Sequence, residues 1–186
     1  MEKRLKNMYP MLIKSTPLNG CFVLQSEILK DDRGTFSEVF RQDIFEKVIG
    51  KIRFVQDNEV MSNKGVLRGM HYQESPYEQS KLVRVIQGSI LDITIDLRPE
   101  SSTYKQLFSI ELTAKNHLQL FVPKGFAHGY LVLEDRTKVI YKADQFYAPD
   151  SEKGISPLDP FFDFNWSMDR QNLRISERDL KWPAFQ

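Results

Sequence analysis

Apolar and polar residues alternate in short runs along most of this chain, and glycine, proline, aspartate and asparagine separate the runs. That is the pattern of half-buried strands joined by tight turns. Val23-Leu24 leads into a strand-like Ser26 to Leu29, and Asp31-Asp32-Arg33-Gly34 then turns the chain. Thr35 to Phe40 alternates again, and strand signals resume with Ile52 to Val55. Further runs are Lys81 to Ile86, Ser89 to Asp96, Leu107 to Leu112, Gln119 to Val122, His128 to Val132 and Thr137 to Tyr141. Gly88 fits a tight hairpin turn between two of them. One stretch differs. Ile44, Phe45, Val48 and Ile49 recur at helical spacing before Gly50, so residues 42–49 are predicted as a short helix. A second helical turn is expected within Ile175 to Leu180, with Ser176 as N-cap and Asp179 at its third position. Many short strands with so little helix predict a mainly β fold, an antiparallel sandwich or barrel. Residues 1–10 read as a loose arm, and residues 151–186 as a loop-rich extension of a single domain spanning 1–186.

Composition narrows the picture. The 186 residues suit one domain of ordinary size. Lys and Arg number 26 against 25 Asp and Glu, a net charge of +1. The whole-chain field therefore gives no reason to expect nucleic acid, and any anion must be held by a local cluster of cations. The single cysteine, Cys21, excludes an intrachain disulfide, reads as a small apolar filler and fits a reducing compartment. The opening MEKRLKNMYP is charged but leads into no apolar signal core, and no run is long enough to span a bilayer. A cytoplasmic chain with no membrane partner is expected.

Candidate chemistry concentrates in Leu67-Arg68-Gly69-Met70-His71-Tyr72-Gln73, followed by Gln79-Ser80-Lys81-Leu82. Read as a strand, this puts Leu67, Gly69, His71 and Gln73 on one face, and Arg68, Met70 and Tyr72 on the other. A lone histidine there reads most simply as a core group satisfied by hydrogen bonds. A second histidine and a lysine in nearby strands weigh against that. The second is His128, in Pro123-Lys124-Gly125-Phe126-Ala127-His128-Gly129. This P-x-G-x-x-H pattern resembles the second motif of the cupin superfamily, a jelly-roll barrel. Metal-binding cupins carry H-x-H in the first motif; here the corresponding place reads His71-Tyr72-Gln73, and Gln is a poor ligand. With only His71, His117 and His128 in the chain, a cupin without metal is the better reading, its histidines free for acid–base work. A metal cupin remains the rival.

Several segments together make the resemblance specific. They are Asp32 to Glu38, Phe54-Val55-Gln56-Asp57-Asn58, Gly65 to Gln73, Lys81 to Val85, Asp92 to Arg98, Pro123 to Gly129, Tyr141-Lys142, Tyr147-Ala148-Pro149 with Glu152, and Ile175 to Asp179. In order and spacing they resemble the dTDP-4-dehydrorhamnose 3,5-epimerase family over roughly residues 11–182. The resemblance implies a cupin-type antiparallel jelly roll that epimerises the carbons flanking a ketone in a nucleotide-linked sugar. Such chemistry needs a base, a stabiliser for the enolate and an acid on the opposite face. No hydride moves, so no cofactor is required, which agrees with the absence of a glycine-rich dinucleotide loop.

By the same resemblance His71 is the base, Asp179 its paired carboxylate, Lys81 the enolate stabiliser and Tyr141 the acid. Arg33, Arg68 and Arg178 match diphosphate- and sugar-contacting positions. Gln56, Asp57 and Asn58 match the base-recognition segment, Glu38 and Glu152 other nucleotide contacts, and His128 a sugar contact. The family also implies a homodimer with exchanged N-terminal strands, in which Arg33 and Glu38 serve the neighbour's site. One departure bears on the reaction: Phe146 stands where the family often has tyrosine. A phenol missing near Tyr141 makes epimerisation at a single carbon the alternative, and a sugar-nucleotide-binding protein without activity is the non-enzymatic one.

Overall fold

The computed structural model describes residues 2–4 and 11–185. In chain order the elements are β1 (Glu2–Arg4), β2 (Met11–Ser15), β3 (Phe22–Ser26), β4 (Leu29–Asp31), β5 (Gly34–Phe36), α1 (Gln42–Val48), β6 (Gln56–Ser62) and β7 (Val66–Gln73). Then come β8 (Lys81–Gln87), β9 (Ser89–Asp96), β10 (Leu107–Thr113), β11 (Leu118–Val122), β12 (Phe126–Val132), β13 (Thr137–Ala143), β14 (Glu152–Gly154), β15 (Arg174–Ile175) and α2 (Glu177–Leu180). The arm expected over residues 1–10 lies outside the described residues apart from β1, which pairs with β2.

Two sheets carry the architecture. One runs β1-β2-β3-β11-β8-β13-β6, the other β10-β9-β12-β7-β14, and β15 adds a short parallel pairing to β7. The alternation read from the sequence has a direct cause here. Val83, Val85, Leu120, Val122 and Val139 of the first sheet point inward against Ile90, Leu112, Phe126, Tyr130 and Val132 of the second. The two outer faces are covered by different means. Helix α1 lays Ile44 and Phe45 on Leu24, Leu82 and Phe121 of the first sheet. The C-terminal segment lays Ile155, Phe162 and Trp166 on Leu67, Met70, Ile93 and Leu131 of the second. Among the described residues no helix is long and apolar enough to cross a membrane.

Helix α1 forms where the apolar spacing places it, and Gly50 follows at φ +132°. Three strand expectations move. The run at 26–29 is no strand of its own, since β3 ends at Ser26 and β4 begins at Leu29. Residues 52–55 are not a strand, because Ile52 and Phe54 turn in against the α1 cluster. Pairing with β13 starts one residue later, at Gln56 opposite Ala143. The run at 35–40 ends as a strand at Phe36, and Phe40 joins the same cluster.

Candidate active site

The mouth of the barrel holds a cavity of about 650 Å³. One wall comes from the six-stranded sheet, with Arg68, His71 and Gln73 on β7, His128 and Tyr130 on β12, and Glu152 on β14. The facing wall comes from the seven-stranded sheet, with Gln56 and Asn58 on β6, Lys81 on β8 and Tyr141 on β13. Arg178 and Asp179 of α2 also line it.

Strict alternation along β7 separates Arg68 from His71, yet both line the cavity. A bulge is responsible. His71 pairs with His128 and Arg68 with Tyr130, so Gly69 and Met70 together face the single residue Gly129. The extra residue reverses the alternation and sends Met70 into the outer core, fully buried. Glycine is required at this crossing. A Cβ on Gly69, at φ +135°, would lie 2.5 Å from the Cα of Gly129.

His71 Nε2 lies 2.8 Å from Asp179 Oδ1. Asp179 is placed by the expected cap: Ser176 Oγ accepts a hydrogen bond from its backbone N–H at 3.0 Å. Burial pushes the Asp179 carboxyl up. The hydrogen bond and charge of the His71 ring, with Gly69 N–H and Ser176, outweigh this and hold it below the usual carboxylate range. Trp182 closes the other side of His71, edge to face at 6.1 Å between ring centroids. It can do so because residue 154 is glycine; a Cβ there would meet the indole at 2.5 Å.

A second imidazole–carboxylate pair stands beside the first. His128 Nε2 is 2.9 Å and 3.1 Å from the two oxygens of Asp92. Opposite, burial pulls the Lys81 ammonium below its ordinary value, against the attraction of Glu152 and Asp92. Burial likewise pushes the Tyr141 phenol up, opposed by Arg68 and reinforced by Glu152 and Tyr147, so Tyr141 enters neutral pH protonated. Such a pocket can take a proton on one wall and return one from the other.

Ten of the residues expected from the sequence therefore converge: His71, Tyr141, Lys81, Asp179, Gln56, Asn58, Arg68, His128, Glu152 and Arg178. Three do not. Asp57 points away on the exposed face of β6 and pairs with Lys142 at 2.9 Å. Arg33 caps the β4–β5 hairpin with its side chain 85% exposed and paired to Asp31. Glu38, half-buried just beyond that hairpin, is also outside the cavity wall. Arg178 is already engaged, donating to both oxygens of Glu152 at 2.8 Å and 3.2 Å. Sequence reasoning missed Asp92, Tyr130, Tyr147 and Trp182. Asp92 left a signal, since Asp92, Thr94 and Asp96 alternate with apolar residues and all three are buried. Among the described residues no three His, Cys, Asp or Glu side chains are grouped to hold a metal ion.

Fold and pocket together place the chain among cupin-type barrels equipped for acid–base chemistry. A family model described as dTDP-4-dehydrorhamnose 3,5-epimerase matches residues 15–186. The chain is 44% identical over 173 residues to a dTDP-4-dehydrorhamnose 3,5-epimerase of Methanothermobacter thermautotrophicus, covering 92% of each. It is also similar to a solved dTDP-6-deoxy-D-glucose-3,5-epimerase from Legionella pneumophila in complex with dTDP-4-keto-L-rhamnose. There the TM-score is 0.89 and the identity 38%, over 94% of this chain and 92% of that one. A solved 3′-monoepimerase from Streptomyces bikiniensis is more distant, at 29% identity and a TM-score of 0.85 over 91% and 85% of the chains. The chain belongs to the dTDP-4-dehydrorhamnose 3,5-epimerase family.

Proposed function

We propose that this chain converts dTDP-4-dehydro-6-deoxy-D-glucose to dTDP-4-dehydro-L-rhamnose by proton transfer at the two carbons flanking the ketone. The observation that carries the reading is the opposition of walls. His71 with Asp179 stands on one sheet side of the cavity, and Lys81 with Tyr141 on the other.

His71 removes the proton alpha to the carbonyl, and the electron pair delocalises onto the ketone oxygen. Lys81 stabilises that enolate. Tyr141 delivers a proton to the opposite face of the carbon, inverting it. Asp179 fixes the imidazole and stabilises the charged ring. The proton on His71 leaves to solvent and Tyr141 regains one, which makes the reaction visible by isotope. Arg68, Asn58, Gln56 and His128 are the nearest groups for the nucleotide and sugar. The Nδ2 of Asn58 is buried without a hydrogen-bond partner, which suits a ligand acceptor.

Two-carbon action is favoured over the single-site alternative. Phe146 is 64% exposed and outside the cavity wall, and the neighbouring Tyr147 supplies a phenol there instead. Incubation with the 4-keto sugar nucleotide in deuterated water decides. Label at both C3 and C5 is expected. Label at one carbon overturns the double reaction, and bound nucleotide with no label at all overturns the enzyme reading.

The exposed hairpin supports a homodimer in which Arg33 and Glu38 reach the partner's cavity. Mixing Arg33→Ala with His71→Ala then regenerates one intact site per mixed dimer, about a quarter of full activity. No regain of activity argues for self-contained sites. The lone buried thiol of Cys21 supports a cytoplasmic setting.

A further inference from the structure

The segment Gln145 to Ala148 follows the end of β13 at Ala143 and carries Tyr147 to the cavity. Several of its backbone groups are held by glutamine side chains rather than by a strand ladder. Gln79 Nε2 donates to Gln145 O at 2.7 Å. Gln56 Oε1 accepts from Tyr147 N at 3.0 Å. Gln73 does two jobs at once. Its Nε2 donates to Phe146 O at 3.3 Å and to Tyr77 O at 2.5 Å, while its Oε1 accepts from Ala148 N at 2.8 Å.

The chemistry of the side chain matters. A primary amide offers donors at one end and an acceptor at the other. A carboxylate of the same size only accepts, and would turn its charge on two carbonyl oxygens. An apolar side chain would leave the Ala148 N–H and both carbonyls without this partner, and the Gln73 side chain is buried. Within the segment, the Tyr147 hydroxyl donates to Glu152 Oε2 at 2.7 Å, the same carboxylate that Arg178 grips. The epimerase reading assigns Gln73 no part in proton transfer, yet it stands two residues after the base on the same strand.

We propose that Gln73 is a positioning residue for substrate binding: its amide holds the Phe146–Ala148 backbone so that Tyr147 stands at the cavity beside Glu152 and Arg178. The proposal rests on the epimerase reading for its kinetic consequence, whereas its structural consequence can be read without substrate.

The test uses Gln73→Glu, which keeps the shape, and Gln73→Leu, which removes both donor and acceptor. In Gln73→Leu, amide hydrogen exchange in the ligand-free protein is expected to quicken at Ala148 by about tenfold, while the β9 and β12 amides keep their protection; Gln73→Glu still accepts from the Ala148 N–H and should quicken it less. With the 4-keto sugar nucleotide, KM should rise about tenfold with kcat within about twofold. In a cycle with Tyr147→Phe the KM effects should fall well short of additive, because both substitutions act through one phenol. Gln79→Leu, which frees the segment from its other end, should shift KM in the same direction by less. Unchanged Ala148 exchange in Gln73→Leu, which removes the acceptor of the Ala148 N–H, overturns the proposal. So do additive KM effects, or a fall in kcat at constant KM, since either would put Gln73 on the substrate itself. A wild type that binds nucleotide without any isotope exchange would sink the epimerase reading alone and leave the hydrogen-exchange result to judge Gln73.

Discussion

The two imidazole–carboxylate pairs share one chemistry and almost nothing else. His71 and Asp179 are 108 residues apart, and the carboxylate comes from a single helical turn outside the sheet. His128 and Asp92 are 36 residues apart on hydrogen-bonded neighbours β12 and β9. The side chains of the first pair are 21% and 5% exposed, those of the second 8% and 0%. A base must meet its substrate and change charge, so it needs an open face and a partner able to adjust. The second pair is fixed by the sheet and suits a wall that orients the sugar. Equal distances therefore do not imply equal roles; access and the stiffness of the support separate them.

The largest effect that tests this contrast is on rate. His71→Ala should slow isotope exchange by about a thousandfold, within the usual span for a lost general base. His128→Ala should act mainly on KM. Equal losses of kcat in both would erase the distinction.

The next effect is on stability and runs the other way. His128→Ala leaves Asp92 buried without its partner and should cost about 3 kcal/mol in urea unfolding. Asp179→Asn, on the half-open pair, should cost about 1 kcal/mol. A reversed order would show that α2 and not the sheet carries the load.

A third carboxylate calibrates both. Burial pushes Asp96 up, but hydrogen bonds from Arg98, Ser101 and Thr103 lower it from 3.8 to about 2. Its folded value lies below its unfolded one, so its stabilisation is complete above about pH 4 and is lost as pH falls towards 2. The loss should be about 1–2 kcal/mol, allowing for the partly exposed Arg98. Asp179 is shifted in the same direction. Acid titration of the unfolding free energy should flatten over that interval in Asp96→Asn. An unchanged profile would remove Asp96 as the standard.

The smallest effect is the most local. Ser176→Ala removes the cap that seats Asp179 and should cost about 1 kcal/mol, with kcat reduced a few-fold and KM unmoved. A kcat equal to wild type would show that His71 holds Asp179 rather than the reverse.

Much of this was legible because period and chemistry agreed. The alternation along β9, β12 and β13 matches the observed strands, and the spacing of Ile44, Phe45 and Val48 matches α1. Ser176 three residues before Asp179 announced the cap. The failures are physical. Alternation cannot reveal a bulge, so it puts Arg68 on the face opposite His71, whereas the crossing of Gly69 and Gly129 brings both to the cavity. Residues 52–55 look like a strand because inward Ile52 and Phe54 alternate with Arg53 and Val55, although their partners lie on a helix. Trp182 was invisible because its contact depends on what Gly154 lacks. The resemblance groups Asp57 with Gln56 and Asn58, whereas β6 turns Gln56 and Asn58 to the cavity and Asp57 outward to Lys142.

The long separation between His71 and Asp179 also has a consequence in time. The barrel closes through pairings among β6 to β13, and none of these needs the segment that carries Asp179 and Trp182. The strand pairings alone therefore leave His71 without a partner and Leu67, Met70, Ile93 and Leu131 without their cover. The pair forms only when the tail docks on β7, across a loop of about a hundred residues whose closure the core has already shortened. Seating the tail therefore completes two things at once, the cover over Leu67, Met70, Ile93 and Leu131 and the His71–Asp179 pair, so loosening that cover should unseat the pair as well.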